Sequence, residues 1–325
     1  MNKAAFFLLL AVSALVSSQL VYLMNVSDGL VGHDYKYFIP RLFEGVLFYR
    51  SQGLSIPYYS VSFCGGLPFY GDPQTMFYSL PQFLSFYLSP WYAVCISVSI
   101  LVFLSVFGTF FLVKEVFRLS DFPSLLASTA FAYNGFYRSR MAIGHFSYHS
   151  FMLIPLICYL LLSKRLSNFA ASILLCILGA YFIHSGGHFV SFISIPSIAM
   201  VILLYLLLVD VGVGDIKRIV LRSAVAAVGS LALSFSKLVA VYSFMRFYPR
   251  RASFDSVDSW WSAGKLVFSQ LFKLGGYTPF KWGIWEYDNQ LSPLVLLGLV
   301  ILVMRIILYR ETRLSAWLLN WSEVS

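Results

Sequence analysis

Asp34 lies in the run Gly32-His33-Asp34-Tyr35-Lys36-Tyr37-Phe38-Ile39-Pro40-Arg41, ten residues beyond the apolar stretch that ends at Met24. A carboxylate so near a low-dielectric phase is costly unless it caps a helix, pairs with a cation, binds a metal ion or works as a base. Lys36 and Arg41 are the nearest cations in sequence. A second carboxylate, Asp72, stands in Gly65-Gly66-Leu67-Pro68-Phe69-Tyr70-Gly71-Asp72-Pro73-Gln74, where glycines and prolines fix tight turns and Asp-Pro starts one. Asp72 is therefore either a turn residue or half of an acidic pair. Such a pair could hold a divalent cation, Mg or Mn, or share acid/base work.

Cationic and imidazole groups recur in the same class of segment: Arg138 and Arg140 before His145 and His149, His184 and His188 around Gly186-Gly187, and Arg246, Arg250 and Arg251. Lys237 sits inside an apolar run, where an ammonium needs a polar partner or an aqueous cavity. The guanidinium fork suits phosphate, so Arg138, Arg140, Lys237 and Arg250 are candidates for an anionic lipid headgroup, against the plainer expectation of contact with bulk lipid phosphates. The histidines have a plain alternative as interfacial caps. Trp260-Trp261 and Trp282-Gly283-Ile284-Trp285-Glu286-Tyr287-Asp288-Asn289 fit an interfacial aromatic belt, and aromatic faces beside carboxylates also fit a pyranose.

The elements that must position these groups are apolar helices. Of the 325 residues 59% are hydrophobic and 11% charged, against roughly 25% charged in soluble domains. No soluble fold of this length hides so much apolar surface. The formal charge of +9 comes from short dispersed groups beside apolar runs, which argues for membrane topology and against nucleic acid. None of the four cysteines forms a CxxC or Cys/His metal pattern. Residues 1–24 read as an uncleaved first span rather than a signal peptide. Further apolar runs at 91–113, 122–134, 150–163, 168–183, 189–209, 219–243 and 291–309 complete about eight transmembrane helices, two of them short.

Short basic connections follow every second run: Lys114 and Arg118, then Lys164 and Arg165, then Lys217, Arg218 and Arg222, then Arg305, Arg310 and Arg313. With Lys3 inside, these mark the cytoplasmic face. The alternate connections, 25–90, 134–149, 184–188 and 244–290, then face outward. Within the first, Tyr35 to Tyr49 has near-helical apolar spacing and reads as a helix lying in the interface. The fold class expected is an all-α integral membrane protein, one domain over 1–325 with large outer loops at 25–90 and 244–290. An incomplete C-terminal end is also expected.

The whole pattern resembles the type C (GT-C) membrane glycosyltransferases, especially the bacterial YfhO-like group. The resemblance rests on Gly32-His33-Asp34 with Pro40, the turn from Gly66-Leu67-Pro68 to Asp72, Gly144-His145 leading to Pro155-Leu156, Ser236-Lys237-Leu238, and Trp285-Glu286-Tyr287. It implies a polyprenyl-phosphate-linked sugar as donor and a glycan, lipid or protein acceptor at the outer face of a bacterial inner membrane. It implies Asp34 as general base or metal ligand and Asp72 as its acidic partner. Arg138, Arg140, Lys237 and Arg250 would then meet the donor phosphate, and His33, His145, His188, Trp285 and Glu286 the substrates. A flippase or transporter of a lipid-linked saccharide and a noncatalytic envelope assembly protein are the alternative expectations.

Overall fold

The computed structural model describes residues 3–24, 34–63, 65–248, 259, 261, 262 and 265, except the side chains of His188 and Phe189. Among them the chain is helical and has no strand. In order come α1 (Lys3–Met24), α2 (Tyr35–Gln52), α3 (Leu80–Ser85), α4 (Pro90–Phe111), α5 (Asp121–Ala132), α6 (Gly135–Ile143), α7 (Ile154–Leu162), α8 (Asn168–His184), α9 (His188–Leu208), α10 (Val213–Leu233) and α11 (Phe235–Phe247). A π-helical turn, Leu112–Val116, extends α4, and a 3-10 segment, Phe146–Leu153, leads into α7. The span predicted over 291–309 lies outside the described residues.

Among the described residues three helices are long and apolar enough to cross a bilayer, Lys3–Met24, Pro90–Val116 and Val190–Leu208. A fourth is present if α10 and α11, bent by 65° at their junction, form one span. The helices at the predicted spans 122–134, 150–163 and 168–183 are about as long as those apolar runs and fall below span length. The twelve residues of α5 reach only about 18 Å at 1.5 Å per residue, against a hydrocarbon core of about 30 Å. Phe146–Leu162 and Asn168–His184 are apolar but likewise below span length.

The burial pattern is that of a bundle in an apolar solvent. α4 forms the centre, with Val94, Val98, Leu101, Val102 and Val106 buried, and packs against α1, α5 and α7. α1 presents Ala5, Leu9, Ser13, Val16, Leu20 and Met24 inward at helical spacing, while Phe7 stands 66% exposed behind them. On α9 Phe192 is 76% and Leu207 70% exposed, and on α10 Val228 is 69% exposed. Large apolar side chains facing outward along long helices would aggregate in water and are at home against lipid.

Connections gather at the two ends of α4. At its start, Trp91 packs edge-on against Tyr35, 5.4 Å between ring centroids, beside the 144–146 turn. At its other end the segments 114–118, 162–165 and 205–209 line one cavity.

Candidate functional site

The helix predicted from Tyr35 forms as α2, and Asp34 immediately precedes it. The Asp34 carboxylate does not cap this helix. It is 46% exposed, and its Oδ2 lies 3.2 Å from Nε2 of His145. The Nδ1 of the same ring lies 2.8 Å from Nη1 of Arg140. Because a guanidinium can only donate, Nδ1 is the acceptor in this arrangement and Nε2 carries the proton directed at Asp34. Among the described residues Oδ1 of Asp34 has no hydrogen bond. A carboxylate is thus oriented from behind and open in front.

Local sequence explains how Asp34 meets Arg140 and His145, 106 and 111 positions further along the chain. Asn134 caps α6 by accepting from the Tyr137 amide, 2.7 Å. At the other end Gly144 adopts φ +95°, with its N–H donating to Met141 O and the His145 N–H to Arg140 O, a turn that places His145 over the last coil of α6 beside Arg140. A Cβ on Gly144 would stand 2.6 Å from the Tyr35 amide nitrogen. The close approach is fastened by Tyr35, whose hydroxyl donates to Met141 O at 2.9 Å, and by the Asp34 amide, which donates to Ile143 O at 3.1 Å. Tyr148 and Phe136 flank the Arg140 guanidinium at 5.2 and 5.4 Å from their ring centroids. Arg138 lies 5.8 Å from the Tyr133 ring centroid.

Asp72 belongs to a different kind of structure. Its Oδ1 accepts from the Gln74 amide at 2.9 Å, the expected Asp-Pro turn, and its Oδ2 accepts from the Tyr37 hydroxyl at 2.7 Å and from Arg41 at 3.4 Å. Arg41 is therefore the partner of Asp72 rather than of Asp34. The loop carrying Asp72 is nested: Gly71 lies against Ala240 on α11, and Gly186, φ +76°, lies so close to Gln74 O that a Cβ would stand 2.8 Å from it. Lys237 is 1% exposed and donates to the carbonyls of Tyr70, Asp72 and Thr75 at 2.7, 2.9 and 3.3 Å. The polar partner that its apolar position demanded is thus the loop backbone. Tyr70 adds a 3.0 Å contact to Ser236, and burial pushes its phenol above the ordinary value, keeping it neutral at neutral pH.

The break between α10 and α11 falls at Ser234. There the Leu233 carbonyl takes a 3.4 Å contact from His184 and Lys237 turns onto the loop, so the single span predicted over 219–243 is bent. His149 is buried, with Nδ1 2.7 Å from Phe146 O and Nε2 2.8 Å from the Tyr181 hydroxyl. His33, Arg250, Trp285 and Glu286 lie outside the described residues, and His188 opens α9.

Asp34 and Asp72, the acidic pair expected to hold a divalent cation, have separate sets of partners among the described residues. Among the described residues no group of three or more His, Cys, Asp or Glu side chains converges, and both Asp72 oxygens face a guanidinium, a phenol or an amide.

Tyr37 and Arg41 are the organising residues that sequence reasoning left without this role. Their i, i+4 spacing on α2 was the available signal. Comparison with protein-family models, curated proteins and solved structures returns no match for this chain.

Proposed function

We propose that the chain is a membrane glycosyltransferase that moves a sugar from a polyprenyl-phosphate donor to an acceptor hydroxyl, with Asp34 as general base. The observation that carries this reading is the half-exposed Asp34 carboxylate, held through Oδ2 by His145, which Arg140 orients, with Oδ1 unpartnered among the described residues. The acceptor O–H donates to Oδ1, and the proton passes to Asp34 as the acceptor oxygen attacks the anomeric carbon. The bond from that carbon to the phosphate oxygen breaks, the lipid phosphate leaves with the electron pair, and the anomeric configuration inverts. A phosphate is already a good leaving group, so the protein's task is mainly positioning and charge stabilisation. Arg138, near the same turn, and Arg250 are the cations assigned to the departing phosphate. In this reading Asp72 and Lys237 hold the loop that seats α2, and the site opens on the outer face of an eight-span frame in a bacterial inner membrane.

Asp34→Asn keeps the shape and removes the base. It is expected to lose transfer from a polyprenyl-phosphate sugar while inserting into membranes normally. Full transfer by that variant would remove Asp34 from the chemistry.

The 65° break between α10 and α11 favours a second reading, a flippase or transporter of a lipid-linked saccharide, because discontinuous helices frame substrate sites in transporters. Movement of the intact lipid-linked sugar across proteoliposomes, with no glycosidic bond formed, would decide for it.

A further inference from the structure

At the far end of α4 from Asp34, a cavity of about 310 Å³ opens where the π-helical turn 112–116, the end of α7 and the end of α9 meet. Its polar wall carries Lys114, Arg118, Lys164 and Arg165 with Glu115 among them, and its apolar wall Val116, Leu162, Tyr205 and Val209. The site thus has a cationic side and an apolar side.

Helix C-termini are negative ends, and on that ground this junction should repel an anion. The sequence compensates. Arg222, fully buried, donates to the carbonyls of Leu160, Ser163 and Leu166 at 2.7 Å each, and Arg218 donates to Leu162 O at 3.3 Å, so the end of α7 is neutralised from behind. Around the cavity and this support stand six cations, Lys114, Arg118, Lys164, Arg165, Arg218 and Arg222, against three carboxylates, Glu115, Asp121 and Asp215. Three positive charges are in excess.

The cations at the rim are available. Lys164 pairs with Asp215 at 2.7 Å and Arg165 with Glu115 at 2.8 Å, and the two basic side chains are 53% and 73% exposed, so an arriving anion can share each cation with its carboxylate. Arg118 makes no hydrogen bond or ion pair among the described residues, and it holds a left-handed backbone, φ +57°, that a non-glycine residue adopts only under constraint. Arg118 is also exposed, so its guanidinium is free to meet an anion at the cavity mouth.

We propose that this cavity binds the phosphate of an anionic membrane phospholipid, with Arg118, Lys164 and Arg165 around the headgroup and the first part of the acyl chains leaving along α9. A lipid is favoured over a soluble phosphate because the apolar wall is continuous with outward-facing Leu207 and Leu208, 70% and 54% exposed, and with Leu119, 49% exposed. Basic pockets between membrane helices select anionic headgroups by charge and by guanidinium geometry. The inference is independent of the Asp34 chemistry.

The test uses the delipidated full chain in neutral detergent, titrated separately with phosphatidylglycerol, phosphatidylcholine, glycerol 3-phosphate and inorganic phosphate, and read by thermal unfolding and by native mass spectrometry. Phosphatidylglycerol is expected to bind and raise the unfolding temperature, with phosphatidylcholine and both soluble phosphates at least about 10-fold weaker. Arg118→Gln should weaken phosphatidylglycerol about 10-fold, the scale of one lost charge-assisted contact, while the exposed, distant Lys36→Gln leaves it unchanged. Arg118→Gly adds a structural control, because it relieves the backbone and should raise the lipid-free unfolding temperature while losing the response to phosphatidylglycerol. Equal binding of phosphatidylglycerol and phosphatidylcholine, or undiminished phosphatidylglycerol affinity in both Arg118 variants, would overturn the proposal. Inorganic phosphate binding as tightly as the lipid would overturn the lipid assignment.

Discussion

Asp34 and Asp72 are both tied to the first turns of α2, yet the molecule treats the two carboxylates in opposite ways. Asp34 is 46% exposed and bonded through one oxygen to an imidazole that a guanidinium orients. Asp72 is buried, with both oxygens occupied and the neighbouring ammonium of Lys237 fully engaged by three carbonyls. A carboxylate whose two oxygens are both taken up stabilises one conformation and has little capacity left for a ligand, even though Arg41 Nε and Thr75 Oγ1 beside it are buried without a partner. A cluster left open at one well-held atom can receive a proton. The degree of saturation, more than residue type, separates the proposed base from the strut.

The comparison breaks most directly at Asp34→Asn. If the general-base role is right, transfer should fall by roughly 10²- to 10⁴-fold while stability stays within about 0.5 kcal/mol of the parent, since the group is half solvated. The check is initial-rate transfer beside thermal unfolding in detergent. A large loss of stability with the rate per folded molecule unchanged would make Asp34 the strut.

Lys237→Met should do the reverse. Removing the ammonium strands the carbonyls of Tyr70, Asp72 and Thr75 in a buried loop, at an expected cost of about 3 kcal/mol. Thermal unfolding should fall sharply, with activity per folded molecule preserved. Unchanged stability together with a raised KM for the lipid donor would instead return Lys237 to the phosphate site expected from its apolar position.

What the sequence made legible follows from range. The membrane class and the helices α1, α4 and α9 were readable because apolar runs are local, and α2 because its spacing is helical. The pairing of Asp34 with His145 was not, since it spans 111 positions and depends on a left-handed Gly144 fitting against Tyr35. Arg41 was readable as a partner for some carboxylate, but sequence proximity pointed to Asp34 and the fold delivers Asp72. The bend at Ser234 was hidden because 219–243 is apolar on both sides of it.

Gly144→Ala tests whether backbone geometry alone assembles the open cluster. An added Cβ must sit at φ +95° and 2.6 Å from the Tyr35 amide nitrogen, so the turn must shift, at about 2 kcal/mol. His145 would then move off Asp34, and transfer should fall more than stability predicts. A rate that tracks only the folded fraction would show that the imidazole contact is incidental.

The smallest effect is expected from Tyr37→Phe, which deletes one of the hydrogen bonds to Asp72 Oδ2 and leaves Arg41 in place. A single neutral donor to a carboxylate contributes about 1 kcal/mol, and loss of that much stability with an unchanged rate is the signature of a saturated support. The same deletion combined with Arg41→Met should cost more than the two changes apart, because together they leave a buried carboxylate with only the Gln74 amide. Simple additivity would mean that Asp72 is better solvated than its 6% exposure implies, and the contrast with Asp34 would narrow accordingly.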